Sequence, residues 1–154
     1  MATKTQDAIA LLTADHRAVK KLFKAFDAAR QPRDKHGIYL EIRGALEAHT
    51  TLEEDLFYPA ASEASSELVA EAVKEHDVVA ALLSDLEKLD PDEEDFDATM
   101  KVLTESVEHH AGEEEAELFP KTRKALGDDQ LRKIGEQMAA RKHKPAHSRS
   151  RSAA

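Results

Sequence analysis

Apolar residues recur at steps of three and four in four successive stretches of the chain, and each stretch gives one apolar position to a histidine. The first stripe is Ile9, Leu12, His16, Val19, Phe23 and Phe26, and the second is Ile38, Ile42, Ala45, His49, Leu52 and Leu56. Val69, Val73, His76, Val79 or Ala80, Leu83 and Leu86 form the third; Met100, Leu103, Val107, His110, Glu114 and Leu118 form the fourth. This spacing marks amphipathic helices that each bury one face. Four of them facing a common interior predict an all-α four-helix bundle. Pro32 and Gly37 bracket the expected first turn, Asp90-Pro91 closes the third helix, and Gly127 stops the fourth. Pro59 predicts a kink or an early stop in the second helix. Leu131, Ile134 and Met138 suggest a short C-terminal helix packed on the outside.

Composition narrows the chemistry. The 154 residues suffice for one domain with a sizeable core, and 34% charged with 5% aromatic residues disfavours a β-sandwich. No cysteine is present, so disulfides, thiolate-held metals and cysteine nucleophiles are excluded, and any metal must be held by His, Asp and Glu. Of the 22 basic residues, five lie in residues 141–154, where there is no acid, leaving 17 basic against 31 acidic residues in the body. A body of that sign repels nucleic acid. Residues 1–140 are therefore read as the bundle domain and 141–154 as a basic, disordered tail. The longest apolar run, Val78 to Leu83, is too short to cross a bilayer, and no signal-like apolar segment opens the chain, so a cytoplasmic protein without membrane contact is expected.

An internal repeat ties the histidines to carboxylates. Glu-Ala-His49-Thr-Thr-Leu-Glu53 to Pro59 aligns with Glu-His-His110-Ala-Gly-Glu-Glu114 to Pro120 at a shift of 61, and Asp15-His16 falls on Glu75-His76 at a shift of 60. Each half thus reads His, then His-x-x-x-Glu about 33 residues later. Residues four apart share a helix face, so each His-x-x-x-Glu aims an imidazole and a carboxylate at one point. Burying four imidazoles and two carboxylates without cations is costly, and a metal removes that cost. Four imidazoles and two carboxylates exceed what one tetrahedral zinc uses and suit two six-coordinate first-row ions. With both carboxylates bridging and a solvent-derived oxo or hydroxo bridge, each ion keeps an open position able to receive dioxygen or peroxide. The Glu-x-x-His of ferritin-like sites is absent, since Thr13, Leu46, Val73 and Val107 stand three residues before the stripe histidines.

The order His16, His49-x-x-x-Glu53, His76, His110-x-x-x-Glu114 resembles the hemerythrin-like (HHE cation-binding) domain family over about residues 7 to 126. The resemblance implies an up-down-up-down bundle around a non-haem di-iron centre. It assigns His16 and His49 to one iron, His76 and His110 to the other, and Glu53 and Glu114 to both as bridges. Two departures from the oxygen carriers stand out: Ala80 occupies the place of a further histidine, and Glu114 stands four residues after His110 where the carriers have an aspartate five residues on. They favour peroxide chemistry over reversible oxygen carriage. The expected function is catalase-like peroxide decomposition in oxidative-stress protection, by a monomer whose small ligands are hydrogen peroxide, dioxygen or nitric oxide; the alternative is binding or sensing of oxygen, nitric oxide or iron without turnover. His109, about 100° round the helix from His110, is not expected as a ligand. His36 is placed in the first turn, His143 and His147 in the tail, Glu54 and Glu115 either as acceptors behind the ligands or, the favoured reading, on a solvated acidic face, and Tyr39 within reach of the centre or simply packed.

Overall fold

Asp7 starts the first helix by accepting the Ala10 N–H at 2.8 Å, satisfying one of the donors a helix leaves open at its beginning. In the computed structural model, which describes residues 6–142, all regular structure is helical. α1 (Ala8–Ala28) is followed after a short turn by α2 (Pro32–Leu52), with Pro32 in the first turn, where its missing N–H costs nothing. Gly37 and His36 therefore lie inside α2 rather than in the turn expected from sequence. α2 passes through a π-helical turn, Glu53–Phe57, into α3 (Tyr58–Ala61). α4 (Ser66–Glu87) is capped by Ser65, which accepts the Leu68 N–H. α5 (Glu94–Glu113) repeats the pattern of α2, running through a π-helical turn, Glu114–Leu118, into α6 (Phe119–Leu126). Gly127, at φ +82°, ends α6 in a conformation that suits glycine, and α7 (Asp128–Lys142) follows.

The expected break at Pro59 takes the form of the π turn just before it. Proline has no N–H to give to the preceding turn, and the Tyr58 N–H bonds instead to the Glu53 carbonyl five residues back. Phe119, just before Pro120, does the same with the Glu114 carbonyl. The helix then ends at Ala61, close to where the Ser-rich stretch predicts.

The apolar core is divided in two. One cluster holds Val19, Phe23, Tyr39, Ile42, Leu83, Phe96, Met100 and their neighbours; the other holds Leu12, Phe57, Tyr58, Leu118, Phe119, Leu131 and Met138. α1 packs along α2, α4 along α5, and α7 against α1. The last contact corrects the expectation that the C-terminal helix lies outside the core. Leu131 and Met138 are fully buried, and Gly135 sits directly on the backbone of residues 6 to 8. α7 also runs through the boundary expected at residue 140 as far as Lys142, with Arg141 paired to Asp55 at 2.9 Å and Lys142 to Asp15. The tail expected with His143 and His147 lies outside the described residues. Among the described residues, no helix is long and apolar enough to cross a membrane.

The seating of α7 gives a paired prediction. A Cβ on Gly135 would clash with the Gln6 carbonyl oxygen and stand 2.9 Å from the Ala8 nitrogen, both backbone atoms, whereas a Cβ on Gly44, exposed within α2, meets nothing within 4 Å. Gly135→Ala is expected to destabilise by about 1–3 kcal/mol. Gly44→Ala should be stabilising by roughly 0.5–1 kcal/mol through helix propensity. Urea unfolding of the two variants checks this, and equal effects would show that α7 is not held against the start of α1.

Candidate metal centre

Between the two apolar clusters lies a polar layer made of His16, His49, Glu53, His76, His110 and Glu114. The helical period delivers one histidine from each of α1, α2, α4 and α5, and the two glutamates come from the first residue of each π turn. All six residues named from sequence are thus brought together. The donors fall into two groups, His16–His49–Glu53–Glu114 and Glu53–His76–His110, each with its ligand atoms within 4.8 Å of one another. His49 Nε2 lies 3.3 Å and His76 Nε2 3.0 Å from Glu53 Oε1, while His16 Nε2 lies 3.2 Å from Glu114 Oε1. The imidazoles pair symmetrically: His16 with His49 and His76 with His110, each with ring centres 4.8 Å apart and nearly edge-on.

Every one of these imidazoles is held from behind by a carboxylate. Asp15 accepts from His49 Nδ1 at 3.0 Å, Glu75 from His110 Nδ1 at 2.6 Å, Glu54 from His76 Nδ1 at 2.6 Å and Glu115 from His16 Nδ1 at 2.7 Å. An ionised carboxylate can only accept, so the proton sits on Nδ1 and each Nε2 is turned inward. Glu54 and Glu115 thus act as acceptors behind the rings, the less favoured of the two sequence readings, while their side chains stay exposed to solvent as the favoured one expects. The repeat already pairs these positions: Asp15 with Glu75, and Glu54 with Glu115.

Tyr58 is the residue that sequence reading missed. Its hydroxyl donates to Glu114 Oε2 at 2.6 Å and lies 3.1 Å from Glu53 Oε1, 3.2 Å from His76 Nε2 and 3.4 Å from His110 Nε2. On a regular helix Tyr58, five residues beyond Glu53, would point about 140° away. The π turn takes up one extra residue and returns it to the same face. Tyr39, singled out from sequence, instead packs edge-on against Phe96 and donates to the Leu83 carbonyl at 3.2 Å, within the apolar cluster. His36 is exposed on α2, and His109, 65% exposed on α5, lies outside the layer.

The charge balance of the layer demands cations. Burial by itself lowers the basicity of His49 and His110, but the Glu53 and Glu114 carboxylates override it and push them up to about 10 and about 9. His76 is also raised, against the burial that would lower it, by its contacts with Glu53. Burial would raise Glu53, yet His49 and the other imidazoles keep it ionised, well below the usual carboxylate range. Glu114 is pushed up to about 7 by burial and by the charge of Glu53. Protons on the imidazoles are the compensation the chain supplies by itself, and a metal takes their place by using the same Nε2 atoms. Four buried atoms find no hydrogen-bond partner: His16 Nε2, His49 Nε2, Glu53 Oε2 and Glu114 Oε1. These atoms are of metal-ligating types and converge on one another, and the donor set fits a hard or borderline first-row cation.

A cavity of about 20 Å³ adjoins the layer, bounded by the four histidines and by Val19, Leu46, Val79 and Val107, one apolar residue from each helix. That is room for a molecule of one or two heavy atoms. Ala80, which the sequence comparison set in the place of a further histidine, is exposed on α4, and Val79 borders the cavity instead.

Comparison with known proteins agrees with this geometry. A family profile described as the Hemerythrin HHE cation binding domain matches residues 7–122. Rv2633c of Mycobacterium tuberculosis and Mb2666c of Mycobacterium bovis, both carrying the description uncharacterized protein, are each 30% identical to the chain over 136 residues, covering 85% of it and 82% of their own length. A crystal structure of a Hemerythrin HHE cation binding domain-containing protein, the Rv2633c homolog from Mycobacterium kansasii, superposes with a TM-score of 0.80 at 31% identity, covering 88% of this chain and 85% of that one.

If the layer binds metal, loading should raise the melting temperature of the wild type, by mass action worth about 2.7 kcal/mol at a hundredfold excess over Kd. His49→Ala and Glu53→Ala are expected to lose that increment, and His109→Ala to keep it. Scanning calorimetry with and without added iron checks this, and a retained increment in Glu53→Ala would remove Glu53 from the ligand set.

Proposed function

The chain belongs to the hemerythrin HHE cation-binding family, and within it we propose a non-haem di-iron protein that decomposes hydrogen peroxide to water and oxygen. The observation that carries this reading is the set of four buried, unpartnered ligand atoms on His16, His49, Glu53 and Glu114. His16 and His49 would hold one iron and His76 and His110 the other, with the Glu53 and Glu114 carboxylates available to both. The helices form an up-down-up-down bundle, which the short connections between α1 and α2 and between α3 and α4 favour.

A pair of irons in such a layer supplies Lewis acidity and two accessible oxidation states, so turnover of peroxide needs no organic substrate. The chain contributes the surroundings. Asp15, Glu75, Glu54 and Glu115 fix the tautomer and orientation of each ring through Nδ1. Tyr58 keeps a proton on its hydroxyl, because burial and the nearby Glu53 and Glu114 charges strongly oppose the phenolate, and it presents that proton to Glu114 Oε2. The side chains of Val19, Leu46, Val79 and Val107 exclude bulk water and leave space only for a small ligand. Protection against peroxide follows as the cellular role. The cavity equally fits dioxygen or nitric oxide, so the second reading is a module that binds or senses these gases without turnover.

The purified protein is expected to hold about two irons per chain and to show the near-ultraviolet charge-transfer bands of a bridged ferric pair. Peroxide should drive oxygen evolution by the wild type, loss of His76 in His76→Ala should abolish it, and Val79→Leu should slow it by narrowing the cavity. Zinc in place of iron would overturn the di-iron reading. Reversible oxygen binding by the reduced protein with no peroxide consumed would replace turnover by gas binding.

A further inference from the structure

The bundle has two seams where its helix pairs meet, and an arginine bridges one of them. α1 packs along α2 and α4 along α5, which leaves one seam between α2 and α4 and another between α1 and α5. From α2, the Arg43 guanidinium pairs with Glu87 on α4 and, at 2.8 Å, with Glu47 on its own helix. The shifts of 61 and 60 put Thr104 and Asp27 at the places of Arg43 and Glu87, a pair that cannot form an ion bridge. Thr104 and Asp27 instead border a cavity of about 580 Å³ between the end of α1 and α5. Glu108 lines this cavity and also the next one along the seam, a groove of about 360 Å³ bounded by His16 and Phe23 of α1 and by Val107, Ala111 and Gly112 of α5.

The groove ends at the layer. His16, Val107 and Ala111 are walls both of the groove and of the cavity of about 20 Å³ among the four histidines, so the two spaces are separated by no more than these side chains. In the first half of the repeat, Thr50 and Thr51 stand where the second half has Ala111 and Gly112. A Cβ on Gly112 would meet nothing within 4 Å, so the side chain missing there leaves open space rather than a close contact. We propose that the small ligand of the metal layer enters through the α1–α5 seam, over Gly112 and past Ala111, to the His16–His49 side, and that Ala111 sets the width of the passage. The inference rests on the di-iron reading for what binds at the end of the path. Arg17 and Lys20 line the groove together with Glu108 and Glu115, so its charges balance and it draws in neither anions nor cations. Passing between Val107 and Ala111 would strip an ion of its water, and the ligand admitted is therefore a neutral molecule such as hydrogen peroxide or dioxygen.

The test is stopped-flow binding of nitric oxide, a neutral molecule of two heavy atoms, to the reduced iron-loaded protein, followed by visible absorption. It compares wild type, Gly112→Leu, Ala111→Gly and the control Thr51→Leu, which stands at the repeat position of Gly112 on the other seam. Gly112→Leu fills the groove and leaves the layer intact, so its association and dissociation rates should both fall about tenfold with their ratio unchanged. Ala111→Gly should raise both rates, and Thr51→Leu should match the wild type. Unchanged rates in Gly112→Leu, equal slowing in Thr51→Leu, or weaker binding by Gly112→Leu with its association rate intact overturns the route. Unchanged rates in Ala111→Gly overturn the part given to Ala111. Should the wild type hold no iron, the di-iron reading fails, and the same rates measured on Co²⁺-loaded protein decide the route; uptake of neither ion overturns both.

Discussion

Glu53 and Glu114 face each other in the middle of the molecule, and among the described residues the cations paired with them are all histidines, with the neutral Tyr58 hydroxyl bonded to both. Two buried carboxylates at this distance cannot both ionise without cations, and leaving one uncompensated costs several kcal/mol. Much else in the structure answers that constraint. Each helix stripe yields one apolar position to an imidazole, the core is cut into two clusters by the resulting layer, and four outer carboxylates orient the rings. A cation held between the two clusters would couple all four histidine-bearing helices, so metal affinity and folding stability become linked quantities.

The repeat builds this layer twice, and the departures from it make the halves chemically unequal. His16 stacks on Phe119 and His76 on Tyr58, with ring centres 5.9 and 5.3 Å apart. Only the second stacking partner carries a hydroxyl, and that hydroxyl reaches both glutamates. The unpartnered Nε2 atoms are consequently those of His16 and His49, while His76 and His110 have the phenol beside them. Two metals bound here would differ in their surroundings, one beside a phenyl ring and one beside a proton donor.

Much of this was legible in the sequence, because the 3.6-residue period and the repeat both act on it directly. The stripes predict Leu12, Val19, Phe23, Ile42, Leu83, Met100 and Leu103 as core, and all are buried. Spacing and family resemblance point to the six layer residues, and the structure brings their side chains together. What escaped depends on departures from the regular helix or on distant partners. Tyr58 was hidden because a π turn shifts the facing of everything after Glu53, which also moves the core position from Leu56 to Phe57. Glu54 and Glu115 look solvated on their own helices, since their histidine partners stand 22 and 99 residues away in sequence. For α7 the sequence points to the periphery, because three apolar residues in a short, highly charged segment carry no sign that Gly135 lets it touch the start of α1.

The most direct measurement is anomalous scattering at the iron edge from crystals of the iron-loaded protein. A pair of peaks is predicted within the polar layer, one beside His16 and His49 and the other beside His76 and His110, with Glu53 and Glu114 reaching both. A single peak, or iron density only outside the layer, would contradict the claim that the fold is organised around a two-metal centre.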